Sequence, residues 1–237
     1  MDSLLSTYSA ASWPLILLIL GTFFVAGAVK GVIGLGLPTV AMGLLGLAMA
    51  PAQAAALLVV PSMVTNVWQL AAGGRFVHLA RRLWPLLAGV VAGTWLTAAL
   101  AGTGSQPWAV RALGVALVLY AAFGLMAFQL RVPPGAERRL GGLAGLATGA
   151  VTAATGVFVI PAVPYLQALG LAKDELVQAL GMAFTVSTLA LAVALARGGA
   201  LGYQQMAASL VALVPAMAGM WAGQVLRHRI SPAAFRR

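Results

Sequence analysis

Lys30 stands alone as an ionisable group inside an apolar run that extends from Leu15 to Leu47. Holding such a group at membrane depth is costly, which makes it a candidate functional site. Around it the chain reads Gly27-Ala-Val-Lys30-Gly31-Val-Ile-Gly34-Leu-Gly36-Leu-Pro38, with no acidic residue nearby. Four glycines and a proline break what would otherwise be one long helix. In hydrocarbon a broken backbone is tolerated only where it is buried in protein or lines a wet cavity. A helix restarting at Pro38 would present unpaired N–H groups and a partial positive charge, which suit an anion. A looser copy, Gly145-Leu-Ala-Thr148-Gly149-Ala-Val-Thr152-Ala-Ala-Thr155-Gly156, runs on to Pro161. Two interrupted segments in corresponding places of two halves point to a transporter's binding site.

Other polar residues within apolar stretches are few. Asn66 and Gln69 share one helical face, as do Thr148, Thr152 and Thr155. Gln178 lies at the start of a later apolar run. The candidate substrate-binding set is therefore Lys30, Gly34, Gly36, Pro38, Asn66, Gln69, Thr152, Thr155, Gly156 and Gln178. Competing readings stay open. The glycines could serve close helix packing, the threonines could bond their own helix backbone, and Lys30 could reach an interface.

What is missing restricts the chemistry further. The acidic residues are Asp2, Glu137, Asp174 and Glu175, all at a terminus or between apolar runs. Buried carboxylates are the usual proton relays and cation ligands of pumps, so their lack argues against cation transport, paired-carboxylate hydrolysis and Asp-bound Mg²⁺. His78 and His228 lie beside arginines, and there is no cysteine, so no metal, cofactor or catalytic triad is expected. The expectation is a non-enzyme.

The elements that must position these groups follow from composition. Of 237 residues, 62% are hydrophobic and 8% charged, whereas a soluble domain is about a quarter charged. The net charge of +10 sits in short segments between apolar runs, which fits membrane topology and anionic headgroups rather than nucleic acid. At roughly 20 apolar residues per crossing, spans are expected over 13–34, 52–72, 83–100, 107–130, 140–156, 174–196 and 203–226. Short segments are expected over 37–49 and 158–170. Trp13, Trp84 and Trp108 stand near span ends as interfacial anchors.

The two halves resemble one another. Gly46-Leu47-Ala48 matches Gly170-Leu171-Ala172, Gly73-Gly74 matches Gly198-Gly199, and Ala92-Gly93-Thr94-Trp95 matches Ala218-Gly219-Met220-Trp221, at offsets of 124–126 residues. The expected organisation is a first repeat over 1–131, a linker over 132–139 and a second repeat over 140–237. The counterpart of the 107–130 span would begin at Ser231-Pro232, close to Arg237, so a truncated copy is expected. If the short segments complete a crossing, only Arg111 and Arg197 fall on one face and the other loop cations on the opposite one. If they are re-entrant, that bias vanishes. The positive-inside rule prefers crossing, with an outside N-terminus and inverted halves.

The segment from Lys30 to Pro38, its partner ending at Pro161, and Arg229-Ile-Ser-Pro-Ala-Ala-Phe-Arg236-Arg237 resemble the sulfite exporter family, TauE/SafE type. The resemblance covers nearly the whole chain. It implies a secondary permease of small sulfur-containing anions: sulfite, sulfonates such as sulfoacetate, or related organic anions. The second half departs from the family pattern, carrying threonines where glycines are more usual.

The expectation is thus an all-α, polytopic transmembrane bundle of two inverted repeats, with short broken helices near Pro38 and Pro161. It would sit in the cell inner membrane and move a small sulfur-containing anion by alternating access. Its partners would be that anion and the lipid bilayer, with a homodimer as a candidate assembly. The alternatives are a carboxylate permease or a structural membrane subunit. An enzyme acting on lipid would need an acidic or histidine cluster at an interface, and none is visible.

Overall fold

A computed structural model describes residues 13–126 and 131–229. Every regular element in it is helical. The long helices are α1 (Trp13–Ile33), α3 (Pro51–Ala71), α4 (Phe76–Ala101), α5 (Ala109–Met126), α6 (Glu137–Thr155), α8 (Lys173–Arg197) and α9 (Tyr203–Arg229). The short ones are α2 (Leu37–Leu45) and α7 (Ala162–Ala168). A 3-10 turn, Pro134–Ala136, leads into α6. Six of the long helices are long and apolar enough to cross a membrane. The remaining one, α6, opens on Glu137-Arg138-Arg139 and carries four glycines, which lowers its hydropathy.

Several boundaries differ from expectation. Helix α4 begins at Phe76, not near residue 83, so His78, Arg81 and Arg82 belong to its first two turns. Glu137, Asp174 and Glu175 occupy first helical turns, where a carboxylate complements the N-terminal dipole. The short helices are briefer than their apolar runs because chain flanking them is turn or extended: Gly46–Ala50 follows α2, and Gly156–Pro161 precedes α7. The expected span counterpart starting at Ser231 lies outside the described residues.

Small residues dictate the packing. Helices α1 and α9 meet through Gly27, Gly31, Gly219 and Gly223. A Cβ at each would collide with the facing backbone carbonyl of Ala216, Met220, Phe24 or Ala28. Helices α4 and α6 meet likewise through Gly89, Gly93, Gly145 and Gly149, against the carbonyls of Gly142, Leu146, Leu86 and Val90. Pairs of glycines four apart let two backbones touch, the form of association that works in lipid, where apolar burial drives little. The pairing is reciprocal: the first long helix of each half packs on the helix of the other half that carries the repeated Ala-Gly-x-Trp. Helices α3 and α8, which follow the two short helices, pack on each other at the centre. Both start alike, with Gln53 Oε1 accepting from Ala50 N and Glu175 Oε2 from Ala172 N, each at 3.3 Å. These two are also the most buried of the candidate spans.

Pro61 interrupts α3 and cannot donate to the carbonyl of Leu57. Ser209 of α9 repairs the gap: its Oγ donates to Leu57 O at 2.8 Å and accepts from Val60 N at 3.0 Å.

Two ion pairs gather the basic segments on one face. Arg82 makes a bidentate contact with Glu137, at 2.7 and 3.0 Å. Arg75 pairs with Glu175 at 2.8 Å. The α3–α4 connection, the start of α6 and the start of α8 therefore lie together; this is the basic face. Arg197 lies instead beside the Gly102–Gln106 loop. Gly104 O, in that loop, accepts from Ala52 N at the start of α3, at 3.2 Å. This is the opposite face.

Candidate functional site

The chain leaves α1 after Ile33 through Gly34 and Gly36, whose φ of 82° and 105° fall in the left-handed region open to glycine. Pro38 then sits in the first turn of α2, where its missing N–H costs nothing. This sharp exit fixes the last turn of α1, and with it Lys30.

Lys30 is 5% exposed. Its Nζ donates to Thr65 Oγ1 at 3.0 Å and to Asn66 Oδ1. Thr65 passes its own proton to Pro61 O at 2.7 Å. Asn66 Nδ2 donates to Thr188 Oγ1 at 3.3 Å, and Thr188 donates to Phe184 O at 2.7 Å. The oxygens of Thr65 and Asn66 face the ammonium, and the donors of both side chains point away from it. The ammonium has three donors and these contacts use two. Neutral oxygens solvate the cation without cancelling its charge, and no carboxylate reaches it among the described residues. One positive charge and one donor remain for a ligand.

They open onto a cleft of about 740 Å³ lined by α1, α3, α7, α8 and α9. Lys30, Gly34 and Gln69 line it, as do Lys173 and Arg227. Three amides, Gln69, Gln167 and Gln224, face the same space. Gln69 Nε2 donates to Val177 O at 3.2 Å, while its buried Oε1 accepts no hydrogen bond within the described residues. The described lining holds three cations and no acid. Such a cleft concentrates small anions and offers them amide donors.

The structure divides the remaining candidates. Gly36 and Pro38 shape the turn but do not line the cleft. Asn66 holds the lysine. Thr152 and Thr155 donate to the carbonyls of Thr148 and Val151 at 2.7 Å, bonding their own helix. Thr155 also accepts from Val157 N at 3.1 Å, and Gly156 (φ 74°) ends α6 packed against Met42 and Ala55. These three shape the second break rather than the cleft wall. Gln178 caps the end of α3: its Nε2 donates to Leu70 O and Gly73 O at 3.0 and 2.8 Å, and its Oε1 accepts from Arg75 N at 3.0 Å.

Gln167, Lys173, Gln224 and Arg227 were not among the candidates, though they line the cleft. Gln224 and Arg227 are three apart near the end of α9, a polar pair on one face that the apolar count of that span obscured.

Apolar spans packed through glycine, around a buried lysine with no counter-charge among the described residues, define a polytopic helical membrane protein. The sulfite exporter TauE/SafE family model matches residues 19–237, and the chain belongs to that family, whose members transport anions across membranes. No curated protein and no solved structure showed a significant match.

Proposed function

We propose that this protein is a permease for a small sulfur-containing anion, sulfite or an organosulfonate such as sulfoacetate, and that it works by alternating access. One observation carries the reading: Lys30 is buried and bonded only to neutral oxygens, and it opens onto a cleft lined by further cations and amides. A lysine held for structure alone would be better paired, because an uncompensated buried charge is destabilising. A bound anion supplies the missing charge. A carboxylate is the second reading, since the same cations and amides would hold it.

Alternating access is supported by the reciprocal pairing of α1 with α9 and of α6 with α4. The end of α1 and the start of α6 lie toward the same, basic face, as two inverted halves would place them. The sequence division at 1–131, 132–139 and 140–237 belongs to this proposal. With the basic face cytoplasmic, as the positive-inside rule directs, the protein sits in the inner membrane with its N-terminus outside and its cleft open inward. An anion then leaves down the membrane potential without a proton relay, since each negative charge gains about 2.3 kcal/mol per 100 mV. Sulfoacetate and sulfite flux in proteoliposomes tests the reading, with Lys30→Met as the key variant. Flux equal to wild type in Lys30→Met overturns the site. A wild-type protein that moves neither sulfonates nor sulfite overturns the substrate class.

A further inference from the structure

A second polar pocket lies on the opposite face, at the far end of α8. It holds about 330 Å³ and is lined by Trp95, Thr103, Ser105, Gln106, Arg197 and small residues. The Arg197 guanidinium lies over the Trp95 ring, 5.5 Å from its centroid. Trp95 is fixed in turn, because its Nε1 donates to Ala190 O at 3.1 Å. A cation–π contact needs no hydrogen bond, so it leaves the guanidinium N–H donors to serve an oxyanion. The described carboxylates offer it no partner. Glu137 and Glu175 pair with Arg82 and Arg75 on the basic face, and Asp174 adjoins Glu175. Thr103, Ser105 and Gln106 add hydroxyl and amide groups to the same wall.

The two pockets are ordered along one helix. Lys173, Leu176, Val177 and Leu180 line the Lys30 cleft, and Ala194, Arg197 and Gly198 line the second pocket. Thr188, which ends the lysine's hydrogen-bond chain, is nine residues before Arg197, about 14 Å along a helix axis.

We infer that the Arg197–Trp95 pocket is a second anion site on the opposite face, a station for small oxyanions entering or leaving the membrane path. The station's role in transport rests on the permease reading; its capacity to bind an anion does not. The two are therefore tested separately. Iodide, an anionic quencher, is titrated against tryptophan fluorescence of the protein in nanodiscs at constant ionic strength, with Trp95→Phe identifying the Trp95 component. Arg197→Gln is expected to weaken iodide quenching of that component about fivefold, with neutral acrylamide quenching unchanged. Arg197→Lys should restore most of it, and Arg138→Gln, on the basic face, should change nothing. Equal iodide quenching of Trp95 in wild type and Arg197→Gln overturns the site. In oriented proteoliposomes Arg197→Gln should raise KM for sulfoacetate supplied to the Arg197 face and leave kcat unchanged. An unaltered KM overturns the station role. Lys30→Met should retain iodide quenching, so loss of flux in that variant and loss of quenching in Arg197→Gln report on separate claims.

Discussion

Lys30 Nζ donates to Thr65 Oγ1 at 3.0 Å, and that hydroxyl in turn donates to the carbonyl of Pro61, the proline inside α3. The ammonium is thus tied, through Thr65, to the backbone of α3 one turn after Leu57, the carbonyl that Pro61 leaves to Ser209. The arrangement positions the charge and leaves it uncompensated. Lys30→Met should therefore fold, with a thermal midpoint in the absence of anion equal to or above that of wild type, because an unpaired buried charge is removed. The variant should also lose the thermal stabilisation that sulfoacetate gives wild type. A marked fall in the midpoint without anion would show that the lysine is a structural strut.

Gln178 should behave in the opposite way. It satisfies two carbonyls at the end of α3 and one N–H after it. Gln178→Leu leaves these groups unpaired and should destabilise by about 1–3 kcal/mol. Because its side chain does not line the cleft, KM for the transported anion should stay within about twofold of wild type. A large rise in KM with unchanged stability would return Gln178 to the binding set.

Ser209 and Pro61 provide a double-mutant cycle. Ser209→Ala should cost about 1 kcal/mol by orphaning the Leu57 carbonyl. In a Pro61→Ala background residue 61 regains an N–H for that carbonyl, so the same serine change should cost much less. Unfolding in mild detergent measures both. Equal costs in the two backgrounds would mean that the serine does not act by replacing the donor missing at Pro61.

The glycine contacts make a spatial prediction. Gly93→Ala and Gly219→Ala each push a Cβ into a facing carbonyl, of Leu146 and Phe24, and should destabilise by about 1–3 kcal/mol. Gly21→Ala and Gly142→Ala meet open space and should be neutral or stabilising by up to about 1 kcal/mol. All four lie in long helices, so intrinsic propensity alone would make them behave alike.

Composition by itself determined the class of this protein. A chain with 62% hydrophobic residues and 8% charged ones cannot present a soluble surface, and apolar runs bounded by Arg, Gly and Pro mark spans within a few residues. The two breaks and the isolated Lys30 were equally legible, because glycine, proline and a charge in an apolar run are local signals. Boundaries were less so: Arg81 and Arg82 read as loop residues, yet they belong to α4, where a charged side chain at a helix end can still reach polar surroundings. Partners were not legible at all. Thr152, Thr155, Asn66 and Gln178 look alike in sequence as polar residues in spans. Only the approach of α1 to α3 made Asn66 the lysine's acceptor, and only the packing of α3 on α8 made Gln178 a helix cap, while the threonines turned back on their own helix. The reason is physical: a buried polar group takes whichever donor or acceptor the neighbouring helix presents, and that depends on rotation and depth, which residue types do not encode.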